Sequence, residues 1–271
     1  MSTRLKICGL TTLADAEFAY GLGAWALGMI FYEGSPRQCS LEQAQLITAS
    51  MRRKVELCGV FVNAPLDQIV QRAEELGLTL IQLHGDEGPA FCDEVRRRTG
   101  TQVIKAKQVS VPADVRDLER FHVDFHLVDA HAKAVGREGM RGGTGETFDW
   151  SLLAARRSPL PLILSGGIDA GNAAAAIDAV HPFALDSASG TESAPGHKDP
   201  ARMEALFAAV GATDVGPASE VRPASEGEPA SEVEPAGEVE PAGEVEPAGE
   251  VRPASEGEPA AEGLPEIGQP A

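Results

Sequence analysis

Two residues far apart in the chain have the types and settings to move protons. Cys8 closes the run Arg4-Leu5-Lys6-Ile7-Cys8, and Asp129 closes Phe125-His126-Leu127-Val128-Asp129. Both runs read as strands, so each group stands at a strand's carboxyl end. If those strands belong to one closed sheet, the thiol and the carboxylate face each other as an acid/base pair. Alternation along the first strand sends Leu5 and Ile7 to one side and Arg4, Lys6 and Cys8 to the other. With the aliphatics turned toward helices, Lys6 and Cys8 point inward, where an ammonium favours thiolate over thiol. Taken alone, neither residue decides the matter. An isolated cysteine is often a small inert hydrophobe, and a carboxylate after a strand can simply cap a loop.

The same logic collects other polar positions. Ser165-Gly166-Gly167 and Asp186-Ser187-Ala188-Ser189-Gly190 follow two later apolar runs. Bare backbone N–H groups at such turns, ahead of a helix, suit a phosphate. The run Gly142-Gly143-Thr144-Gly145 suits a mobile cover or a further phosphate cradle, and equally a surface loop. Arg37, held in Ser35-Pro36-Arg37, has the fork geometry for a carboxylate. Gln82, His84 and Asp186 also fall at strand ends. The candidate set is therefore Cys8 and Asp129 for catalysis. Arg37, Gln82, His84, Gly143, Gly166, Gly167, Asp186, Ser189 and Gly190 are the candidates for holding a substrate.

Something must bring these residues to one place. Short apolar runs at 4–8, 25–31, 55–61, 78–83, 102–106, 124–129, 160–164 and 183–186 read as strands. Amphipathic stretches at 12–22, 40–51, 65–76, 88–98, 112–120, 150–156, 169–179 and 198–209 read as helices. Eight strand-helix units are the number that closes a parallel sheet into a (β/α)8 TIM barrel, whose sites sit where strands end and loops begin. An open doubly wound sheet is the second reading of the same alternation.

Beyond residue 211 the composition changes. Phe207 is the last aromatic, and proline recurs every sixth residue from Pro217 to Pro265. Residues 212–271 hold 15 acidic and 2 basic side chains, which is −13 of the chain's −18 and leaves −5 for residues 1–211. The reading is a barrel over 1–211 and a disordered or extended acidic tail over 212–271, which cannot bury a core and could meet a partner of its own. Such a tail would repel nucleic acid. The four cysteines, at 8, 39, 58 and 92, show no zinc spacing and suit a reduced, cytoplasmic protein. The uncharged stretch Phe18–Tyr32 is too short to span a bilayer.

In order along the chain, Lys6-Ile7-Cys8-Gly9-Leu10-Thr11, Ala26-Leu27-Gly28-Met29-Ile30-Phe31, Gly59-Val60-Phe61-Val62-Asn63 and Ile81-Gln82-Leu83-His84-Gly85-Asp86-Glu87 are followed by Asp129, Phe148-Asp149-Trp150, Ser165-Gly166-Gly167-Ile168 and Pro195-Gly196-His197-Lys198-Asp199. This ordered set resembles the phosphoribosylanthranilate isomerase family. The resemblance implies a TIM barrel acting on a phosphorylated small molecule in tryptophan biosynthesis, as a monomer or homodimer, without metal or organic cofactor. It further implies Asp129 as general acid, Cys8 as general base, Arg37 on the anthranilate carboxylate, and the loops at Gly166-Gly167 and Ser189-Gly190 on the phosphate. The chain departs from the family pattern at Trp25, which replaces an aspartate, at Ala188 and Thr191, and in its tail. Trp25 is expected to alter packing rather than chemistry. A non-catalytic scaffold and another phosphate-binding barrel, such as indole-glycerol-phosphate synthase, are the competing readings.

Overall fold

The structure, a computed structural model, describes residues 2–130 and 150–212. The chain divides into two units, Met1–Ala218 and Ser219–Ala271. The second unit, with the rest of the proline-glutamate repeat, and the glycine run around Gly143 lie outside the described residues.

Eight parallel strands close into one barrel, with β8 pairing back onto β1, which excludes the open sheet. The strands are β1 (Arg4–Cys8), β2 (Ala26–Ile30), β3 (Glu56–Phe61), β4 (Leu80–Leu83), β5 (Gln102–Val109), β6 (Phe125–Ala130), β7 (Leu162–Leu164) and β8 (Ala184–Ser187). Around them lie α1 (Leu13–Gly21), α2 (Leu41–Met51), α3 (Leu66–Leu76), α4 (Pro89–Thr99), α5 (Pro112–Leu118), α6 (Ala173–Val180) and α7 (Pro200–Gly211). Local chemistry sets their ends. The hydroxyls of Thr12 and Ser40 accept from the third residue on, at 3.2 Å each, and so cap α1 and α2. Gly77 and Gly100 close α3 and α4 in the left-handed conformation.

Strand alternation separates two apolar regions. Leu5, Ile7, Leu27, Met29, Leu57, Ile81, Val103, Val128 and Leu185 pack against the helices. Cys8, Ala26, Cys58, Val60, Leu80, Ile104, Leu127, Ile163 and Ala184 fill the barrel. At the amino-terminal ends of the strands, Trp25, Phe125 and Phe183 close the floor, with ring centroids 5.2–5.5 Å apart. Arg4 lies over Phe183 at 4.4 Å. Trp25 thus serves as packing, at the barrel end away from the chemistry.

The structure revises several of the expected elements. The stretch 150–156 is a 3-10 helix, Trp150–Ala155. The helix expected over 169–179, α6, starts at Ala173, because Asp169 and Asn172 bond each other's backbone first, Asp169 Oδ1 accepting from Gly171 N at 2.8 Å. The last helix starts at Pro200, with Asp199 as its N-cap, and not at 198. Before it runs a hairpin absent from the sequence reading, β9 (Glu192–Ala194) and β10 (His197–Lys198), turning at Gly196 with φ 82°.

His126 carries a pH dependence. It is wholly buried on the helix side of β6, its Nε2 donates to Phe121 O at 3.0 Å, and its Nδ1 has no partner among the described residues. Burial holds its pKa below the ordinary histidine value. The unfolded chain therefore takes up this proton first as pH falls. The contribution is complete above about pH 6.5 and is lost below it, at no more than about 1.4 kcal/mol per pH unit. His126→Leu is expected to flatten the urea-unfolding stability between pH 7.5 and pH 5.5 relative to the unaltered protein. An identical slope in both proteins would exclude this account.

Candidate active site

Every described candidate lies in the carboxyl-terminal half of a strand of one parallel sheet or in the loop after it, with Asp186 a step deeper than the rest, level with Lys6. Cys8 ends β1, with its side chain inside and its residue 5 % exposed. The backbone of β2 closes directly under it: a Cβ added at Gly28 would stand 2.8 Å from Cys8 Sγ. One step down, Lys6 is fully buried and donates to Asp186 Oδ1 at 2.7 Å. Ser165 Oγ donates to Asp186 Oδ2 at 3.1 Å. Both oxygens of Asp186 are thus engaged inside the barrel wall.

This arrangement corrects the expected thiolate. Burial pushes the Cys8 thiol up; Lys6 and Lys198 pull it down, Asp186 pushes it further up, and burial prevails. Burial thus favours the thiol over the thiolate at Cys8.

Asp129 lies in β6, three strands from β1 around the ring, and is 6 % exposed. Its Oδ2 is 3.3 Å from His84 Nε2, and His84 Nδ1 is 2.8 Å from Gln82 Nε2. With the Gln82 amide donating to Nδ1, the imidazole proton resides on Nε2 and faces Asp129. Gln82 Oε1 is buried without a partner among the described residues. Gln82, His84 and Asp129 thus form one chain of contacts.

Behind His84 stands a brace that the sequence reading missed. Lys105 Nζ donates to Glu87 Oε2 and to Gly85 O, both at 2.8 Å, while Glu87 accepts from Asn63 N at 2.8 Å and Gly85 N at 2.9 Å. It ties the loops after β3 and β4 together.

Arg37, after β2, passes its stem over Gly9, where a Cβ would meet Arg37 Cδ at 3.0 Å; Gly9 itself holds φ 75°. Its Nε donates to Glu192 Oε1 and Oε2 at 2.9 and 3.0 Å, and its Nη2 lies 2.9 Å from Oε2. Glu192 and Lys198 were also missed, since the hairpin that carries them leaves no apolar pattern.

At the ends of β7 and β8, Gly166 and Gly167 hold φ 93° and 69° in succession. Asn172 Nδ2 donates to Gly167 O at 2.8 Å, and Ser187 Oγ to Ile168 O at 2.7 Å. Ser189 and Gly190 begin a one-turn 3-10 helix in which a side chain at Gly190 would collide with Ile168 O. Two backbone turns on neighbouring strands thus stand side by side, and Ala188 leaves that backbone in place.

A family profile described as N-(5'phosphoribosyl)anthranilate (PRA) isomerase matches residues 5–209. The chain belongs to the phosphoribosylanthranilate isomerase family. N-(5'-phosphoribosyl)anthranilate isomerases from Citrifermentans bemidjiense and Magnetococcus marinus are each 43 % identical to it, over 206 and 210 residues, covering 76 % and 78 % of this chain and 96 % of each relative. The crystal structure of phosphoribosyl anthranilate isomerase from Thermotoga maritima is similar at a TM-score of 0.68 and 37 % identity, over 78 % of this chain and 99 % of that one. The enzyme from Thermus thermophilus is similar at 0.69 and 34 %, with the same coverage. A further member was solved in complex with reduced 1-(o-carboxyphenylamino)-1-deoxyribulose 5-phosphate; it has a TM-score of 0.65 and 35 % identity over 78 % of this chain and 99 % of that one. This member of the isomerase family is thus an enzyme of tryptophan biosynthesis on a TIM barrel. No helix among its described residues is long and apolar enough to cross a membrane.

Proposed function

We propose that Cys8 and Asp129 are the base and acid of an Amadori rearrangement, which converts N-(5-phosphoribosyl)anthranilate to 1-(2-carboxyphenylamino)-1-deoxyribulose 5-phosphate. The observation that carries this reading is the order of elements around the mouth. Going from β6 to β1, the strands between Asp129 and Cys8 are β7 and β8, which bear the backbone turns at Gly166-Gly167 and Ser189-Gly190. A phosphate anchored there leaves its sugar between the acid and the base.

In the first step Asp129 gives its proton to the furanose ring oxygen. The C1–O bond breaks, and the nitrogen lone pair forms the C1=N bond of a protonated Schiff base. Cys8 then removes the proton from C2, and the released electron pair forms C1=C2 and neutralises the nitrogen. Loss of the O2 proton and gain of one at C1 turn this enolamine into the ketone. No electrons pass between protein and substrate in any step, so the chemistry calls for proton transfer alone. The working state, a thiolate with a carboxylic acid, holds the same number of protons as a thiol with a carboxylate. The two arrangements therefore interconvert with no net uptake or release of protons. Arg37 receives the anthranilate carboxylate in this reading, and Gln82 and His84 hold Asp129 in place.

Catalysis resides in residues 1–211, and the acidic tail is dispensable to it. Freshly generated phosphoribosylanthranilate is expected to lose its fluorescence with the purified full chain. A chain ending at residue 212 should match that rate. A folded full chain that leaves the fluorescence unchanged would end the substrate assignment, and a truncated chain that is folded but inactive would end the division of labour.

A further inference from the structure

We propose that Glu192, held by Lys198, is a positioning residue that presets Arg37 as the group reading the substrate's carboxylate, and so determines specificity for an N-linked anthranilate over an N-linked aniline. The inference rests on the reading that Arg37 receives that carboxylate.

Three observations carry it. The first is the division of the guanidinium. Glu192 takes the Nε hydrogen and one Nη2 hydrogen, at 2.9–3.0 Å. A guanidinium has five N–H donors in one plane, so three remain, and two of them, one on each Nη, share the edge turned away from Glu192. That edge is the shape of a second carboxylate.

The second is charge. An arginine paired only with a glutamate is neutral as a unit and has little net attraction for another anion. Lys198 changes this balance: its Nζ lies 3.3 Å from Glu192 Oε1. Burial lowers the Lys198 pKa while the Glu192 carboxylate beside it works the other way, and with the ammonium so held, two cations and one carboxylate leave a single positive charge for the incoming anion.

The third is burial. The Lys198 and Glu192 side chains are 0 % and 3 % exposed, whereas that of Arg37 is 14 % exposed. The pair below is sealed and the arginine above it opens to the mouth. Lys198 is itself pinned, donating to Ala188 O at 2.8 Å and Thr191 Oγ1 at 3.0 Å. Thr191 also departs from the family pattern, and its hydroxyl is one of the groups that hold the ammonium. The hairpin turn locks the same corner: Thr11 Oγ1 donates to Gly196 O at 2.7 Å, and a Cβ at Gly196 would stand 2.9 Å from Pro36 O. Arg37 is therefore fixed by Gly9, just after β1, on one side and by the hairpin on the other, at a cost in ordering met on folding rather than on binding.

The test uses two substrates made by condensing ribose 5-phosphate with anthranilate or with aniline, the aminoketose products being followed by chromatography. The quantity read is the ratio of kcat/KM for the two substrates. The full-length enzyme is expected to prefer the carboxylated substrate, and Glu192→Gln should lower that preference by about 10²-fold, mostly through KM, as a fork displaced by about 1 Å would. Thr191→Val keeps the other partners of Lys198 and should shift the ratio in the same direction by less; it serves as the second arm should Glu192→Gln fail to fold. A uniform fall on both substrates, or an unaltered ratio in both variants, overturns the positioning role. Arg37→Met separates this from the reading beneath it: if that variant keeps the full preference, the assignment of the carboxylate to Arg37 fails on its own.

Discussion

Cys8→Ala is expected to lower kcat by about 10²–10⁴-fold, the range associated with a positioned general base. The protein should remain folded, because the loss is one sulfur in a wall already filled by Ala26, Cys58 and Ala184. Asp129→Asn removes the acid at the other end of the site and is expected to have an effect of similar size. Cys8→Ser keeps the shape but substitutes a hydroxyl that ionises far less readily than a thiol. It should resemble the alanine variant rather than the parent. The pH dependence follows from the direction of the Cys8 shift. Burial raises the thiol above its ordinary value, so the working pair of thiolate and carboxylic acid is reached only by exchange with a thiol and carboxylate of equal proton count, and kcat/KM should be flat across neutral pH. A profile that rises with pH through neutrality, as the thiolate fraction of a lone base does, would contradict the pairing of Cys8 with an acid.

Lys6→Met is expected to have the largest effect on stability, about 3–5 kcal/mol, because it leaves the carboxylate of Asp186 buried against the β1–β8 seam without its cation. The Lys6 and Asp186 side chains are 0 % and 5 % exposed, at 2.7 Å, so water cannot take over. Replacing both partners, as Lys6→Met with Asp186→Leu, should recover most of the loss, since the two sites share one interaction and cannot be additive. Chemical-denaturation midpoints of Lys6→Met, of Asp186→Leu and of the double variant measure this. A single variant as stable as the parent, or a double variant with the sum of both losses, would show that the pair does not brace the barrel.

What could be read from the chain and what could not divide along a physical line. The eight strands were legible because each is a short apolar run closed by a polar or glycine residue, and the period of two in Leu5-Lys6-Ile7-Cys8 alone turns Lys6 and Cys8 inward. Positions at strand ends were legible for the same reason, which is how Arg37, His84, Asp129 and Gly166 enter the candidate set. Pairings were not. Arg37 and Glu192 are 155 residues apart, and nothing local to either indicates the other. Glu87 and Lys105 are 18 residues apart, and nothing in either segment indicates that they form a buried pair. The hairpin of β9 and β10 has strands of three and two residues, too short to show alternation. The state of the Cys8 thiol failed for a different reason. The sequence places an ammonium beside it, but how strongly burial opposes the charged thiolate depends on the closed barrel around it.

The central claim is the assignment of two roles to two residues. Substrate deuterated at C2 of the ribose, followed in single turnovers with Cys8→Ser and Asp129→Asn, tests it most directly. Proton removal from C2 limits the first variant and ring opening limits the second. The account predicts a primary isotope effect on the rate of Cys8→Ser and none on that of Asp129→Asn. An isotope effect in Asp129→Asn, with none in Cys8→Ser, would reverse the roles and contradict it.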